Sequence, residues 1–296
     1  MDDRETAALI ALLRRPGARW LEVTDEVDVA GSALAVLGHE ESRPEQGRLF
    51  ATDRPTGPDD LDEIQRELDD WRREGIGIVT VLESDYPEQL LTIHQRPPFL
   101  TYLGRLDPGD AYGIAVVGTR RPSKEGLSRA RDLAEGLAAQ GVPIISGLAA
   151  GIDSAALKGA LAAHGRAVAV IGTGIRRSYP AENRGLQARI GEEGLLLSQF
   201  WPDSPPTKYS FPMRNAVMSG YAAATVVIEA AWKSGARMQA RLALEHGRPI
   251  FLLDTLLEHD WARDYARRPG AYVVSSVADV IDHLQEVLAP VTQLTW

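Results

Sequence analysis

Three short stretches decide the fold: Ile114-Ala-Val-Val-Gly-Thr-Arg-Arg121, Pro143-Ile-Ile-Ser-Gly-Leu148 and Ala167-Val-Ala-Val-Ile-Gly-Thr-Gly174. Each is an apolar run of strand length that ends in a glycine-bearing turn and precedes a helical pattern. Continuous apolar runs indicate strands buried on both faces, as in parallel sheets flanked by helices. A strand that hands over to a helix through small residues builds a phosphate-binding rim, because helix N-terminal amides point outward there.

Working outward, strand-like and helix-like patterns alternate. Leu127, Ala130, Leu133, Ala134 and Leu137 share one face of a helix closed by Gly141, and a second βα step runs from Pro143 to His164. A third passes from Ala167 through a helix near Glu182 to Ile190, followed by a strand at Leu195-Leu-Leu-Ser198. Gln199 to Met213 is a long loop rich in proline and aromatics, with Arg214-Asn215 opening the next helix. Strands at Ala224 to Glu229 and Pro249 to Leu253, a helix at Ala231 to Glu245 and a closing helix at Val277 to Leu288 complete the pattern. The fold class is α/β, an extended Rossmann-like, doubly wound and mostly parallel sheet.

A small helical region precedes it. Leu9, Ile10, Leu12 and Leu13 make an amphipathic helix that stops at Pro16-Gly17, and Ala33 to Leu37 suggests another. Gly38 to Asp60 is polar and holds three prolines, a linker by composition. Leu61, Ile64, Leu68 and Trp71 then mark a helix over Asp59 to Glu74, and Ile76 to Leu82 a strand. The expected division is residues 1–75, helical with a polar linker, and residues 76–296, the Rossmann-like domain.

Composition narrows the function. The chain has 296 residues and no cysteine, which excludes disulfides, thiolate metal sites and cysteine nucleophiles. Its acidic start lacks a signal-peptide pattern and no apolar run has membrane-spanning length, so a soluble cytoplasmic protein with no membrane partner is expected. The net charge of −9 argues, taken alone, against a nucleic-acid partner. Its distribution argues otherwise: residues 1–111 carry 12 Lys and Arg against 24 Asp and Glu, whereas residues 112–221 carry 13 against 8. The basic segment contains all three glycine turns.

Within the first turn, Gly118 allows close backbone approach, Thr119 and Ser123 offer hydroxyls, and Arg120 and Arg121 suit phosphate oxygens. The turn is neither a Walker A loop nor a dinucleotide fingerprint, so a nucleotide kinase or a standard NAD enzyme is disfavoured. The second turn puts Ser146 and Gly147 at a strand end and Asp153 where a helix N-cap belongs. In the third, Gly172 and Gly174 can expose backbone N–H groups to an anion, with Arg176 and Arg177 nearby. The long loop interleaves Phe200, Trp201, Lys208, Tyr209, Phe211 and Arg214, rings and cations of the kind that hold single-stranded nucleic acid; each ring could equally plug the loop onto the sheet. Glu229, at a strand end, is either a pocket carboxylate or the first polar residue after a buried run. The six histidines lack metal-ligand spacing and no Gly-x-Ser-x-Gly elbow occurs, so metal and acyl-transfer sites find no support.

These segments resemble the DprA/Smf DNA-processing family. The resemblance lies in Val116 to Arg120 with Ser123 and Gly126, Ser146 to Ala149 with Gly151-Ile-Asp153, and Gly172-Thr-Gly174 with Tyr179-Pro180 and Asn183. It continues through Phe211-Pro212 with Arg214-Asn215, Val226 to Ala230 with Ser234-Gly235, and Gly247-Arg248, in consistent order over about residues 76 to 253. It implies a Rossmann-like protein that binds single-stranded DNA without catalysis and without a cofactor, in recombination or transformation, as a homodimer that assists loading of the RecA recombinase. By the same resemblance Arg120, Ser146, Gly147, Gly172, Gly174, Phe211, Arg214 and Asn215 line the DNA site. The sequence departs from the family at Ala150, Leu157 and Ala216, where arginine, histidine and arginine are usual, and at Gln199 and Gln239. Those departures leave two alternatives: a small-nucleotide sensor or enzyme on the same fold, and a partner-binding scaffold that has lost DNA.

Overall fold

The computed structural model describes residues 3–41 and 58–292. The chain forms two compact units, Met1–Tyr86 with Arg96–Thr101, and Pro87–Gln95 with Tyr102–Trp296.

In the smaller unit, α1 (Asp3–Arg14), α2 (Trp20–Ala30), α3 (Ala33–Glu41) and α4 (Pro58–Arg73) precede β1 (Gly77–Thr80). Helix α1 is apolar over most of its surface and packs against both α3 and α4. Leu61, Ile64, Leu68 and Trp71, spaced for one helix face, are all buried. At the rim a bidentate pair joins Arg14 to Glu67 at 2.7 and 2.8 Å. The apolar spacing anticipates α1, α3 and α4 but gives no sign of α2, where only Thr24 and Val27 are buried. Most of the polar segment expected to be a linker lies outside the described residues; at its ends α3 runs on to Glu41 and α4 starts at Pro58.

The strand β2 (Phe99–Gly104) begins in the smaller unit and ends in the larger, after the short α5 (Glu88–Leu91). The larger unit then alternates β3 (Ile114–Val117), α6 (Lys124–Ala139), β4 (Ile144–Ser146), α7 (Ile152–Ala162), β5 (Ala167–Val170), α8 (Arg184–Glu193) and β6 (Leu195–Ser198). It continues with α9 (Ser210–Tyr221), β7 (Ala224–Val227), α10 (Gly235–Glu245), β8 (Ile250–Leu253), α11 (Asp260–Ala266), β9 (Ala271–Val274) and α12 (Val277–Thr292). Its strand order is β2-β6-β5-β4-β3-β7-β8-β9, and all pairings from β6 to β9 are parallel. Every residue of β3 to β8 is buried, as the apolar runs require. Helices α6, α7 and α12 pack as one group and α5, α9 and α10 as another. This is the doubly wound α/β architecture expected from the alternation.

The topology places the site. From β3 the chain steps outward through β4, β5 and β6, then returns to insert β7 on the other side of β3, with Ile114 to Val117 registered on Ala224 to Val227. Where the winding reverses, the loops leaving two neighbouring strands diverge and open a crevice beyond their carboxyl ends.

Three local expectations are corrected. Helix α9 starts at Ser210, so Arg214 lies in its second turn; Pro212 sits in the first turn, where its missing N–H costs nothing. Asp153 is not an N-cap: Gly151 holds that position, and Asp153 lies inside the helix with its carboxylate turned to the loops. Leu127, placed by its spacing on the buried face of α6, is 39% exposed.

Candidate nucleic-acid interface

The crevice between the ends of β3 and β7 holds a cavity of about 460 Å³. Its walls are the first glycine turn, the start of α9 and the segment entering α10. Of the residues singled out in sequence, it gathers Gly118, Thr119, Arg120, Arg121, Phe211, Arg214 and Asn215.

The first turn is a braced loop. Thr119 N–H donates to the Glu229 carbonyl at 2.7 Å, and the Arg121 N–H donates to Thr119 Oγ1 at 3.2 Å. Ser123 caps α6 by accepting from the Gly126 N–H at 2.9 Å, and its hydroxyl donates to Glu229 Oε2 at 2.8 Å. Glu229 is therefore a brace across the reversal point, and the Ser123 hydroxyl is already committed at both its donor and acceptor. Arg120 and Arg121 remain exposed on this frame. The Arg120 guanidinium lies 5.3 Å from the centroid of the Phe211 ring, which supports it as a cation–π partner.

The second turn is closed. Ser146 is fully buried, and its hydroxyl donates to the Val116 carbonyl at 2.6 Å, tying β4 to β3 rather than facing a ligand. Leu148, with φ of 55°, occupies the left-handed region that non-glycine residues rarely adopt. The turn is held there by Asn183, whose Nδ2 donates to the Leu148 carbonyl at 2.8 Å and to Ser154 Oγ at 2.9 Å. Arg214 fills the space over Gly147: a Cβ at 147 would collide with its guanidinium and stand 2.7 Å from Asp153 Oδ2.

Arg214 and Asp153 form the electrostatic centre of this scaffold, at 5% and 6% exposure. Arg214 Nη1 donates to the Val170 carbonyl at 3.1 Å, while its Nε has no hydrogen-bond partner. Asp153 accepts from the backbone N–H groups of Ala149, Gly118 and Gly147, so one carboxylate gathers the first two turns. Burial pushes its pKa up, opposed first by the Arg214 charge and then by those amides; burial likewise pushes Arg214 down, opposed by Asp153. Arg214, expected at the opening of a helix, is thus a buried cation within it that lines the cavity.

The third turn is roofed. Phe211 lies over Gly172, where a Cβ would stand 2.9 Å from the ring, and Tyr179 packs on that ring at 5.4 Å between centroids. Gly174 is buried beneath Trp201 and Pro202, and its N–H donates to the Ser204 carbonyl at 2.9 Å. It does not present a free amide to an anion, because the following loop folds back over it. Arg176 is paired with Asp203 at 2.6 Å, and Lys208 is exposed outside the cavity with its Nζ 4.9 Å from the Tyr209 ring centroid.

Composition and spacing do not single out Lys233, Gly235, Met238 and Gln239, which line the opposite wall. The available signal is Ser234-Gly235, a hydroxyl cap before a helix: Ser234 Oγ accepts from the Ala236 N–H at 3.1 Å. Buried Gln239, with its amide nitrogen donating to the Asn215 carbonyl at 3.0 Å and its oxygen accepting from the Ser219 N–H at 3.1 Å, locks α10 to α9. Of the departures, Ala150 lines a separate cavity beside α6 and α7, while Leu157 and Ala216 are buried.

A doubly wound parallel sheet whose reversal point opens into a cleft, walled by one exposed arginine turn and one capped helix, defines the Rossmann-like class of fold. The chain belongs to the DNA recombination-mediator protein A family, whose family model matches residues 77–285. It is 38% identical over 207 residues to the DNA processing protein DprA of Streptococcus pneumoniae, covering 68% of this chain and 72% of that one. It is 40% identical over 190 residues to Protein Smf of Synechocystis, covering 63% of this chain, and there it spans 48% of the relative's length. Among solved structures, that of DprA from S. pneumoniae matches with a TM-score of 0.69 and 29% identity over 95% of this chain and 98% of that chain. A DprA structure from Helicobacter pylori, described for its single-stranded DNA binding mode, matches with a TM-score of 0.63 and 27% identity over 72% of this chain and 96% of that chain. No helix among the described residues is long and apolar enough to cross a membrane.

Proposed function

We propose that the chain binds single-stranded DNA in the cleft at the β3/β7 reversal point, without catalysing a reaction on it, as part of DNA recombination or uptake. The observation that carries this is the pair Arg120 and Arg121, exposed on a turn that Glu229 and Asp153 brace from below. Phosphates would meet these two guanidiniums and Lys233, and Phe211 with Arg120 would offer a stacking edge for a base. Gly118, Thr119 and Asn215 would contact the strand along the same walls. Ser123, Ser146, Gly147, Gly172, Gly174 and Arg214 would act by shaping the cleft, and Arg176 and Lys208 would touch a strand only beyond it. We extend the proposal to two features of the family resemblance: a homodimer, and assistance to a RecA-type recombinase.

The test is fluorescence anisotropy of labelled oligothymidylate at two salt concentrations, with Arg120→Ala and Arg121→Ala beside the parent chain. Salt-sensitive binding that weakens in both variants is expected. Binding that is absent at low salt, or insensitive to salt, overturns the proposal.

One observation favours a second reading, a small-nucleotide sensor. A cavity of about 460 Å³ is within the size range of small-molecule sites, roughly 300–1,000 Å³. A thermal-shift comparison separates the two: stabilisation by mononucleotides but not by oligonucleotides selects the sensor.

A further inference from the structure

A second groove, of about 370 Å³, adjoins the cleft and shares Lys233, Ser234, Gly235 and Met238 with its wall. Its distinguishing feature is Trp232, an indole 56% exposed, where Trp261 of the same unit is 2% exposed. An exposed tryptophan adds nothing to the core, yet this one is held in place. The Arg237 guanidinium lies 3.8 Å from the ring centroid, and its Nη1 donates to the Trp232 carbonyl at 3.1 Å. Arg237 Nε is buried in the groove without a hydrogen-bond partner.

The surrounding chemistry selects an occupant. Lys233, Arg237 and Arg241 line the groove, and no carboxylate does among the described residues, although Arg241 also donates to Glu245, which is not in the lining, at 2.9 Å. Tyr265 forms the apolar side, with Arg268 4.2 Å from its ring centroid. Cations beside an exposed ring fit a polyanion that carries stackable bases. A basic protein would be repelled, and an acidic one would leave the indole without a matching planar group. Continuity matters as much: a strand leaving the cleft past Lys233 enters this groove directly.

We infer that the Trp232 groove is a second stacking subsite for the same single strand of DNA. Trp232 takes a base on the ring face that Arg237 leaves open, and Lys233 and Arg241 neutralise the adjoining phosphates. The inference rests on the cleft being a DNA site, so its test must fail separately from that one.

The experiment measures anisotropy with oligothymidylates of about five and about twenty nucleotides, a span chosen to fill one subsite or both. The chains compared are the parent, Trp232→Ala, Trp232→Phe and Arg120→Ala, each checked for an unchanged thermal unfolding midpoint. Trp232→Ala should weaken the long oligonucleotide about tenfold and the short one much less, and Trp232→Phe should recover most of the loss. Arg120→Ala should weaken both lengths. If Trp232→Ala binds the long oligonucleotide like the parent while Arg120→Ala does not, the subsite is wrong and the cleft stands. Equal losses at both lengths, or no recovery with phenylalanine, also overturn the subsite. If the parent binds neither length, the cleft proposal fails and takes the subsite with it.

Discussion

Glu229 and Ser123 are clasped across the reversal point of the sheet: the carboxylate two residues beyond β7 accepts from both the N–H and the hydroxyl of the residue that caps α6. The arginine turn between β3 and α6 is fixed at its far end by this contact. Hydrogen bonds to a charged acceptor contribute about 1.5–3 kcal/mol each, so Glu229→Ala should free the turn at a cost of that order. Expected outcomes are a lower unfolding midpoint by calorimetry and weaker oligonucleotide binding with an unchanged salt slope, because no phosphate contact is removed. Glu229→Gln, which keeps an acceptor, should lose less of both.

Arg120 and Arg121 should behave differently. Each neutralises phosphate charge directly, and for a single strand each such contact contributes roughly 0.7 to the slope of log affinity against log salt. Alanine at either position should flatten a salt titration by about that amount and leave the unfolding midpoint unchanged, since both side chains are exposed.

Arg214→Ala should act mainly on stability. Removing one member of a buried charge pair leaves Asp153 uncompensated, at a typical cost of about 3–5 kcal/mol. Chemical denaturation should show this loss in the absence of any DNA. The double variant Arg214→Met with Asp153→Asn should recover part of it; a parent-like midpoint for Arg214→Ala would contradict the buried pairing.

In the smaller unit, burial pushes the Glu83 carboxyl up from 4.5 to about 6, against the Thr80 N–H that donates to it at 3.0 Å. A carboxyl with a raised pKa binds its proton more tightly in the folded state, so stability is lost as pH rises from about 4.5 through 6. Glu83→Gln should therefore gain on the parent over that interval and match it below. Thermal melts of the two chains at pH 4 to 7 would show a difference that grows with pH; a constant difference would refute it.

The β3 to β8 strands were legible because each is a short, largely apolar run, most of them next to a glycine or proline, such as Ile114 to Val117 between Gly113 and Gly118. Helix α2 was not, because its sequence is mostly exposed and polar and its few buried side chains form no stripe. The site was half legible. Arg120 and Arg121 follow a strand end and stand where that position puts them. Arg214, Ser146 and Gly174 also sit at helix or strand ends in the sequence, yet their roles depend on partners far along the chain, Asp153, Val116 and Ser204. Position relative to a strand shows that a residue reaches the rim; only packing shows whether it faces out. Lys233 and Trp232 escaped because they follow β7, whose adjacency to β3 is a matter of topology rather than of sequence neighbourhood.

The seating of Arg214 over Gly147 has a consequence for how this protein can change. A methyl group at 147 has nowhere to go while the guanidinium is present, and the guanidinium is held there by the Val170 carbonyl and by the nearby Asp153 carboxylate. The three positions form an interlock that single substitutions break and only joint ones cross. In a saturation library these columns should be depleted of every single substitution, and suppressors of a lesion at one should map to the other two.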